Sequence, residues 1–165
     1  MSPRAALPMR LEYVLLGLLR RRAAHGYELL TLWNAPQGIG LIWRVKPAAL
    51  YAALEKLEQM GYLTATRVEA SATPPRNEYR VTAAGEDAFM RWMNTPVEAA
   101  RDFRQDFLVK VYFGEDLDAG SRGELLLRQE QICREWLASL ERQAATGSGF
   151  EARVLSFRLR QVRSI

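Results

Sequence analysis

Apolar residues recur at helical spacing along most of the chain and give way to alternation over one short stretch. Leu11, Val14, Leu15, Leu18 and Leu19 set a first stripe and predict a helix over residues 9–20, after an arm of residues 1–8 interrupted by Pro3 and Pro8. Arg20-Arg21-Arg22 closes this helix. The triplet serves either the negative end of the helix dipole or a phosphate partner. Residues 24–33 read as a second, shorter helix with Tyr27, Leu30 and Trp33 on one face. Pro36, Gly38 and Gly40 then break the chain into a loop over 34–44, apolar enough to fold back on the core through Trp43.

Pro47 suits a first helical turn, because its ring presets φ and its missing N–H is not needed there. Leu50, Ala53, Leu54 and Leu57 follow at helical spacing, and Gly61 supplies a left-handed stop. The opposite face carries Ala48, Ala52, Glu55, Lys56 and Gln59, with Ala49 and Tyr51 on its flanks. Its first two turns carry small side chains, so the helix can approach a groove closely. An ordinary surface helix has the same pattern. Alternation over 62–69 and 77–82 predicts a hairpin with a long tip over 70–76, carrying Arg76.

Thr82 is a good N-cap for a helix through Met93, ended by Asn94-Thr95-Pro96. The remainder is all helical. Phe103, Phe107, Leu108, Val111 and Tyr112 mark a helix stopped at Gly114. Ser121 to Glu124 has capping-box form and opens, or lies just inside, a long helix to about residue 145, striped by Leu125, Ile132, Trp136 and Leu140. After Gly147-Ser148-Gly149, residues Phe150, Val154, Phe157 and Ile165 mark a last helix. The chain therefore divides into 1–95, three helices with a β-wing and a fourth helix, and 96–165, a helical region. Three helices with aromatic stripes and short loops have more apolar surface than a compact monomer hides. A symmetric dimer covers it; a self-contained three-helix bundle is the alternative.

Charge changes this picture more than composition does. Up to Gly85 there are 11 basic and 6 acidic residues, and from Glu86 onward 12 and 13. The first half is thus the candidate for a polyanion partner. A single cysteine, Cys133, excludes an internal disulfide and any multi-cysteine metal site, and a reducing cytoplasmic setting is the default. No apolar run approaches the roughly 18 residues of a membrane span, and no signal-peptide core is present. His25 is the sole histidine, and no nucleophile, base and orienting group fall at a recognisable spacing. The sequence therefore names no catalytic residue, cofactor or metal ligand.

Leu15-Leu16-Gly17-Leu18-Leu19, His25-Gly26-Tyr27-Glu28-Leu29, Leu50-Tyr51-Ala52-Ala53-Leu54-Glu55-Lys56-Leu57-Glu58, Gly61-Tyr62-Leu63 and Tyr79-Arg80-Val81-Thr82-Ala83-Ala84-Gly85 resemble the PadR family of bacterial transcriptional regulators. Asp106 to Phe113 resembles the first C-terminal helix of members with a longer dimerisation region. The resemblance implies a mainly α fold with a small β-hairpin: a winged helix-turn-helix domain over 1–95 and a C-terminal helical dimerisation domain over 96–165. It implies a homodimeric repressor of double-stranded DNA, with the Tyr51 helix in the major groove and the wing beside it. It also implies release by a small aromatic compound. A ligand-sensing or protein-interaction module with weak DNA binding is the alternative.

The DNA-binding candidates are Arg44, Lys46, Ala48, Ala49, Tyr51, Ala52, Lys56, Arg76, Asn77 and His25, with Arg20 to Arg22 behind them. The candidates for an aromatic effector are Phe89, Trp92, Phe103, Phe107 and Trp136. Two departures from the family pattern stand out. Lys46-Pro47-Ala48-Ala49 replaces the usual hydroxyl residues and glycine before the Leu-Tyr pair. Thr73-Pro74-Pro75-Arg76-Asn77-Glu78 replaces a more basic wing tip.

Overall fold

The computed structural model describes residues 10–70 and 73–164. The 1–8 arm, Met9, the extreme wing tip at 71–72 and Ile165 lie outside the described residues. The elements are α1 (Arg10–Arg21), β1 (Ala24–His25), α2 (Gly26–Trp33), a 3-10 turn at Ile39–Leu41, α3 (Pro47–Gln59), β2 (Leu63–Ala70), β3 (Thr73–Val81), α4 (Ala83–Asn94), α5 (Phe103–Gly114), α6 (Ala119–Thr146) and α7 (Gly149–Arg163). The fold is mainly helical with one small antiparallel sheet.

α1 is the axis of the core. Val14, Leu15, Leu16, Leu18 and Leu19 are all buried, more of its circumference than one stripe, because α3, α4, α5 and β3 all pack on it. α5 crosses it at Gly17, where a Cβ would collide with the Phe113 ring. On α3 the expected stripe is the buried one: Leu50, Ala53, Leu54 and Leu57 face inward. Gly61 takes φ +72, and Tyr62 N donates to Leu57 O at 2.9 Å to end the helix. Thr82 caps α4 as expected, its hydroxyl accepting from Gly85 N at 3.1 Å.

Several expectations fail for tertiary reasons. Residues 24 and 25 are not helical. They form β1, a third strand in the order β1-β3-β2, pairing Ala24 with Tyr79 and His25 with Glu78. On α2, Gly26, Leu29 and Trp33 are buried while Tyr27 is 69% exposed, so the Tyr27-Leu30-Trp33 face is not the packed one. The loop is anchored by Ile39, which is fully buried; Trp43 is only half-buried, against the edge of Trp33. The wing has no long tip. β2 and β3 stay paired out to Ala70 and Thr73, so Arg76 lies on a strand opposite Val68. Pro74 and Pro75 are admitted to β3 because β1 covers only Glu78 and Tyr79, and pairing with β2 slips between Val68 and Ala70.

The helical region departs further. α5 turns Val109, Lys110 and Phe113 inward, leaving the expected stripe half-buried or exposed. α6 begins at an Asp118 cap, whose carboxylate accepts from Ser121 N at 2.9 Å, so Ser121 lies inside the first turn. Only Leu125 and Gln129 of α6 are buried, and only Leu155 and Val162 of α7. Ile132, Trp136 and Leu140 are half-buried, and Phe150 and Phe157 face outward.

α4 and α5 are joined by polar contacts. Lys110, almost fully buried, donates to the carbonyls of Trp92 (2.6 Å) and Thr95 at the end of α4. Its ammonium also lies 4.9 Å from the Trp92 ring centre. Arg10 reaches Gln105 at 2.9 Å and pairs with Asp102. Its Nε lies 2.6 Å from Asp106 without the alignment of a hydrogen bond. Gln129 clasps the connecting segment, accepting from Val97 N at 2.7 Å and donating to Val97 O at 3.1 Å.

Burial pushes Lys110 down to about 8 from 10.5, against the pull of Asp106. The unfolded chain recovers the ordinary value, so between about 8 and 10.5 it holds the extra proton and alkali favours the native state. The urea midpoint of the wild type, measured against Lys110→Met, therefore rises as pH is taken from about 8 to about 10. Parallel profiles for the two proteins would show that Lys110 keeps its ordinary proton affinity in the fold.

Candidate nucleic-acid interface

The first turn of α3 is placed by the loop before it. Asn34 Nδ2 donates to Val45 O and its Oδ1 accepts from Val45 N, both at 3.0 Å. This side-chain amide ties the end of α2 to the residue two before Pro47. Trp33 Nε1 adds a bond to Trp43 O at 3.2 Å. α3 then leaves Lys46, Pro47, Ala48, Ala49 and Ala52 exposed in its first half.

Tyr51 lies across the start of α2. A Cβ on Gly26 would collide with its ring, so the absence of a side chain at 26 sets how closely α2 and α3 approach. The ring remains 46% exposed and forms one wall of a cleft of about 680 Å³. The other lining residues are His25, Gly26, Tyr27, Pro75, Arg76, Asn77 and Tyr79. The wing and the helix pair thus meet at one opening lined by three phenols, an imidazole and a guanidinium, with no carboxylate in the lining.

His25 is held from two sides. Its N–H donates to Glu28 Oε2 at 2.8 Å, and its ring Nδ1 is 3.1 Å from the Asn77 carbonyl on the wing. The bond from the His25 N–H holds Glu28 below the usual carboxylate range, with help from Arg22.

The expected DNA-facing residues divide into two groups. His25, Tyr51, Arg76 and Asn77 come together in the cleft, while Arg44, Lys46, Ala48, Ala49 and Ala52 are exposed along the N-terminal half of α3 and just before it. Lys56 is different: its ammonium pairs at 2.6 Å with Glu12, a carboxylate in a residue 8% exposed. The arginine triplet is also committed, Arg20 to Glu86 at 2.7 Å, Arg21 to Asp116 at 2.8 Å and Arg22 to Glu28 at 3.2 Å. Among the described residues, Arg44, Lys46 and Arg76 make no ion pair.

The five aromatic candidates do not form one pocket. Phe89 is fully buried, edge-on to Phe113, and Trp92 stacks on Tyr13 at 5.0 Å. Phe103, Phe107 and Trp136 line a separate cleft of about 1030 Å³ between the start of α5, α6 and α7. Phe103 stacks on Phe107 at 4.5 Å and meets Trp136 edge-on. Arg101, Arg104 and Arg158 stand around this cleft, and no carboxylate lines it.

Sequence reasoning missed Gly26, Asn34, Pro75 and Tyr79 as parts of the site. Gly26 had a signal, its place between His25 and Tyr27; Asn34 had none. Burial raises the Cys133 thiol, so it is not an activated thiolate.

A helix pair, a third helix with a small exposed face, and a β-wing on the same opening are the parts of a winged helix-turn-helix domain. A model of the PadR-like family of transcriptional regulators matches residues 15–91, the winged-helix part of the chain. Among curated proteins the chain is similar to the negative transcriptional regulator PadR of Bacillus subtilis, at 24% identity over 79% of this chain and 71% of that protein. It is also similar to the probable transcriptional regulator Rv1176c of Mycobacterium tuberculosis, at 27% identity over 58% of this chain and 50% of that protein. Among solved structures, B. subtilis PadR in complex with operator DNA shares the fold. Its TM-score is 0.54, with 22% identity, covering 97% of this chain and 93% of that one. No helix among the described residues is long and apolar enough to cross a membrane.

Proposed function

We propose that the chain is a homodimeric repressor that binds a palindromic operator, with residues 1–95 reading DNA and 96–165 joining the two copies. The observation that carries this reading is the shared opening of wing and helix pair, lined by Tyr51, His25 and Arg76, with Arg44 and Lys46 exposed just before α3 and, among the described residues, in no ion pair. Tyr51 donates to a phosphate and holds α3 in register, because phosphate contacts position rather than specify. Ala48, Ala49 and Ala52 meet thymine methyls and offer no hydrogen-bond code, so half-site spacing and DNA shape carry much of the selectivity. The fold shared with B. subtilis PadR, solved in complex with operator DNA, supports this reading.

Lys56 takes the lesser part here. It anchors α3 to α1 through Glu12 rather than serving as a free cation. The dimer face is the outer side of the helical region, where Leu108, Val111, Leu126, Leu127, Phe150 and Phe157 stand exposed. A small planar aromatic effector enters the cleft of Phe103, Phe107 and Trp136. Phe89 and Trp92 pack between α1, α4 and α5 and do not line that cleft.

Arg76→Ala tests the DNA reading. Binding to a duplex selected by the full chain from a random pool weakens, binding to unselected DNA weakens in parallel, and the slope of log affinity on log salt falls by about one unit per dimer arm. An unchanged slope removes Arg76 from the interface. Binding of the selected duplex no tighter than random DNA favours a ligand-sensing module instead. Quenching of Trp136 emission by planar aromatics, absent in Trp136→Phe, checks the effector cleft.

A further inference from the structure

We propose that DNA binding by this chain takes up a proton at His25, because the wing has already claimed the one N–H that a neutral imidazole possesses. This rests on the reading of the cleft as a DNA interface. The Asn77 carbonyl is an acceptor only, and it lies 3.1 Å from His25 Nδ1. Nδ1 must therefore carry the hydrogen, and in the neutral ring Nε2 is left as a lone pair. Among the described residues Nε2 has no hydrogen-bond partner, whereas Nδ1 and the backbone N–H both do.

A lone pair repels a phosphate oxygen. The imidazolium keeps the bond to Asn77 and donates from Nε2 as well, so it bridges wing and DNA backbone together. The alternative neutral tautomer would free Nε2 to donate only by turning a lone pair toward the Asn77 carbonyl, giving up the wing contact.

The surroundings favour the charged ring in the complex. On α2, Glu28 is held ionised beside the His25 backbone and is shared with Arg22; Tyr27 is its other titratable neighbour there. On α3 the facing group is Tyr51. On β3 they are Arg76, Tyr79 and Glu78, the strand partner of His25, with Glu78 itself held by Arg80 at 2.8 Å. Arg76 is the one cation in the cleft lining that opposes protonation, and a phosphate bound between the two relieves that opposition.

His25 is the only histidine, so its ring gives a single set of NMR signals in the full chain. In the free protein at alkaline pH, ring nitrogen shifts show hydrogen on Nδ1. On addition of a duplex selected from a random pool, the ring's titration midpoint moves upward. In parallel, at fixed salt, wild-type Kd for the dimer rises with a limiting slope of about a hundredfold per pH unit above neutrality, about tenfold for each of its two His25 rings. His25→Gln shows no such slope between about pH 6 and 8.5. Hydrogen on Nε2 in the free protein overturns the proposal. So does an unmoved midpoint in the complex, or the same slope in both proteins. The NMR arm uses the wild type, so a misfolded variant leaves the proposal testable. If no duplex binds more tightly than random DNA at any pH, the interface assignment itself has failed, and the proposal falls with it.

Discussion

Phe113→Ala lowers the free energy of unfolding by about 3–5 kcal/mol. The ring is fully buried, meets Phe89 edge-on at 5.4 Å, lies over Gly17 and has the Arg21 guanidinium 5.6 Å from its centre. It is where α5 is seated on α1 and α4. Removing it leaves a void with α1 on one side and α4 on the other. Gly17 brings the α1 backbone up to the ring but supplies no side chain to refill the space. Urea denaturation of the variant beside Leu41→Ala, whose side chain is 76% exposed, gives the comparison. The exposed change stays within about 0.5 kcal/mol. A Phe113→Ala loss below about 1 kcal/mol would mean that α5 collapses readily onto α1 and that the joint is not a rigid one.

Gly26→Ala abolishes most DNA binding while leaving the fold in place. The new methyl enters the space of the Tyr51 ring, so either the ring swings out of the cleft or α2 and α3 separate. Both outcomes move the phenol away from the phosphate contact proposed for it. A lost charge-assisted hydrogen bond together with lost register is worth on the order of 1.5–3 kcal/mol, a fall in affinity of about tenfold to a hundredfold. Tyr51→Ala relieves the collision but not the loss, so the double variant binds no worse than Tyr51→Ala alone. Measured affinities for the three variants form a cycle. Additive losses would show that Gly26 acts by some route other than Tyr51.

α3 was legible because its start and stop are local: Pro47 opens it, Gly61 ends it, and four apolar residues at helical spacing mark the buried face. Its partners in the site were not. β1 is two residues long, too short to show a period, and exists only because β3 offers an open edge opposite Ala24 and His25. Arg76 was expected at a long hairpin tip because residues 70–76 have turn chemistry with two prolines, yet the sheet absorbs those prolines and puts Arg76 on a strand in the cleft.

α5 misled for another reason. Phe103, Phe107, Leu108, Val109, Val111, Tyr112 and Phe113 surround the helix, so spacing alone cannot choose the inward side. The choice falls to Phe113, which fits the gap left by Gly17, to Val109, buried one turn before it, and to Lys110, a residue type that sequence patterning assigns to the surface. The fate of the basic residues was equally invisible. Lys56 and the arginine triplet look like Arg44 and Lys46 in the sequence, and only tertiary placement pairs the first group with Glu12, Glu86, Asp116 and Glu28.

The Asn34 clamp has a use outside recognition. Because it fastens both ends of the loop, the path of the chain between them is decoupled from the start of α3. Ile39 must stay in the core and Gly40 must pass close to the Ala35 carbonyl, but Pro36 and Gln37 are exposed. A peptide tag or fluorophore-bearing insertion at that point adds loop length at small entropic cost and leaves the reading helix in place. It gives an attachment point that is no part of the wing-cleft lining, from which movement on DNA can be followed.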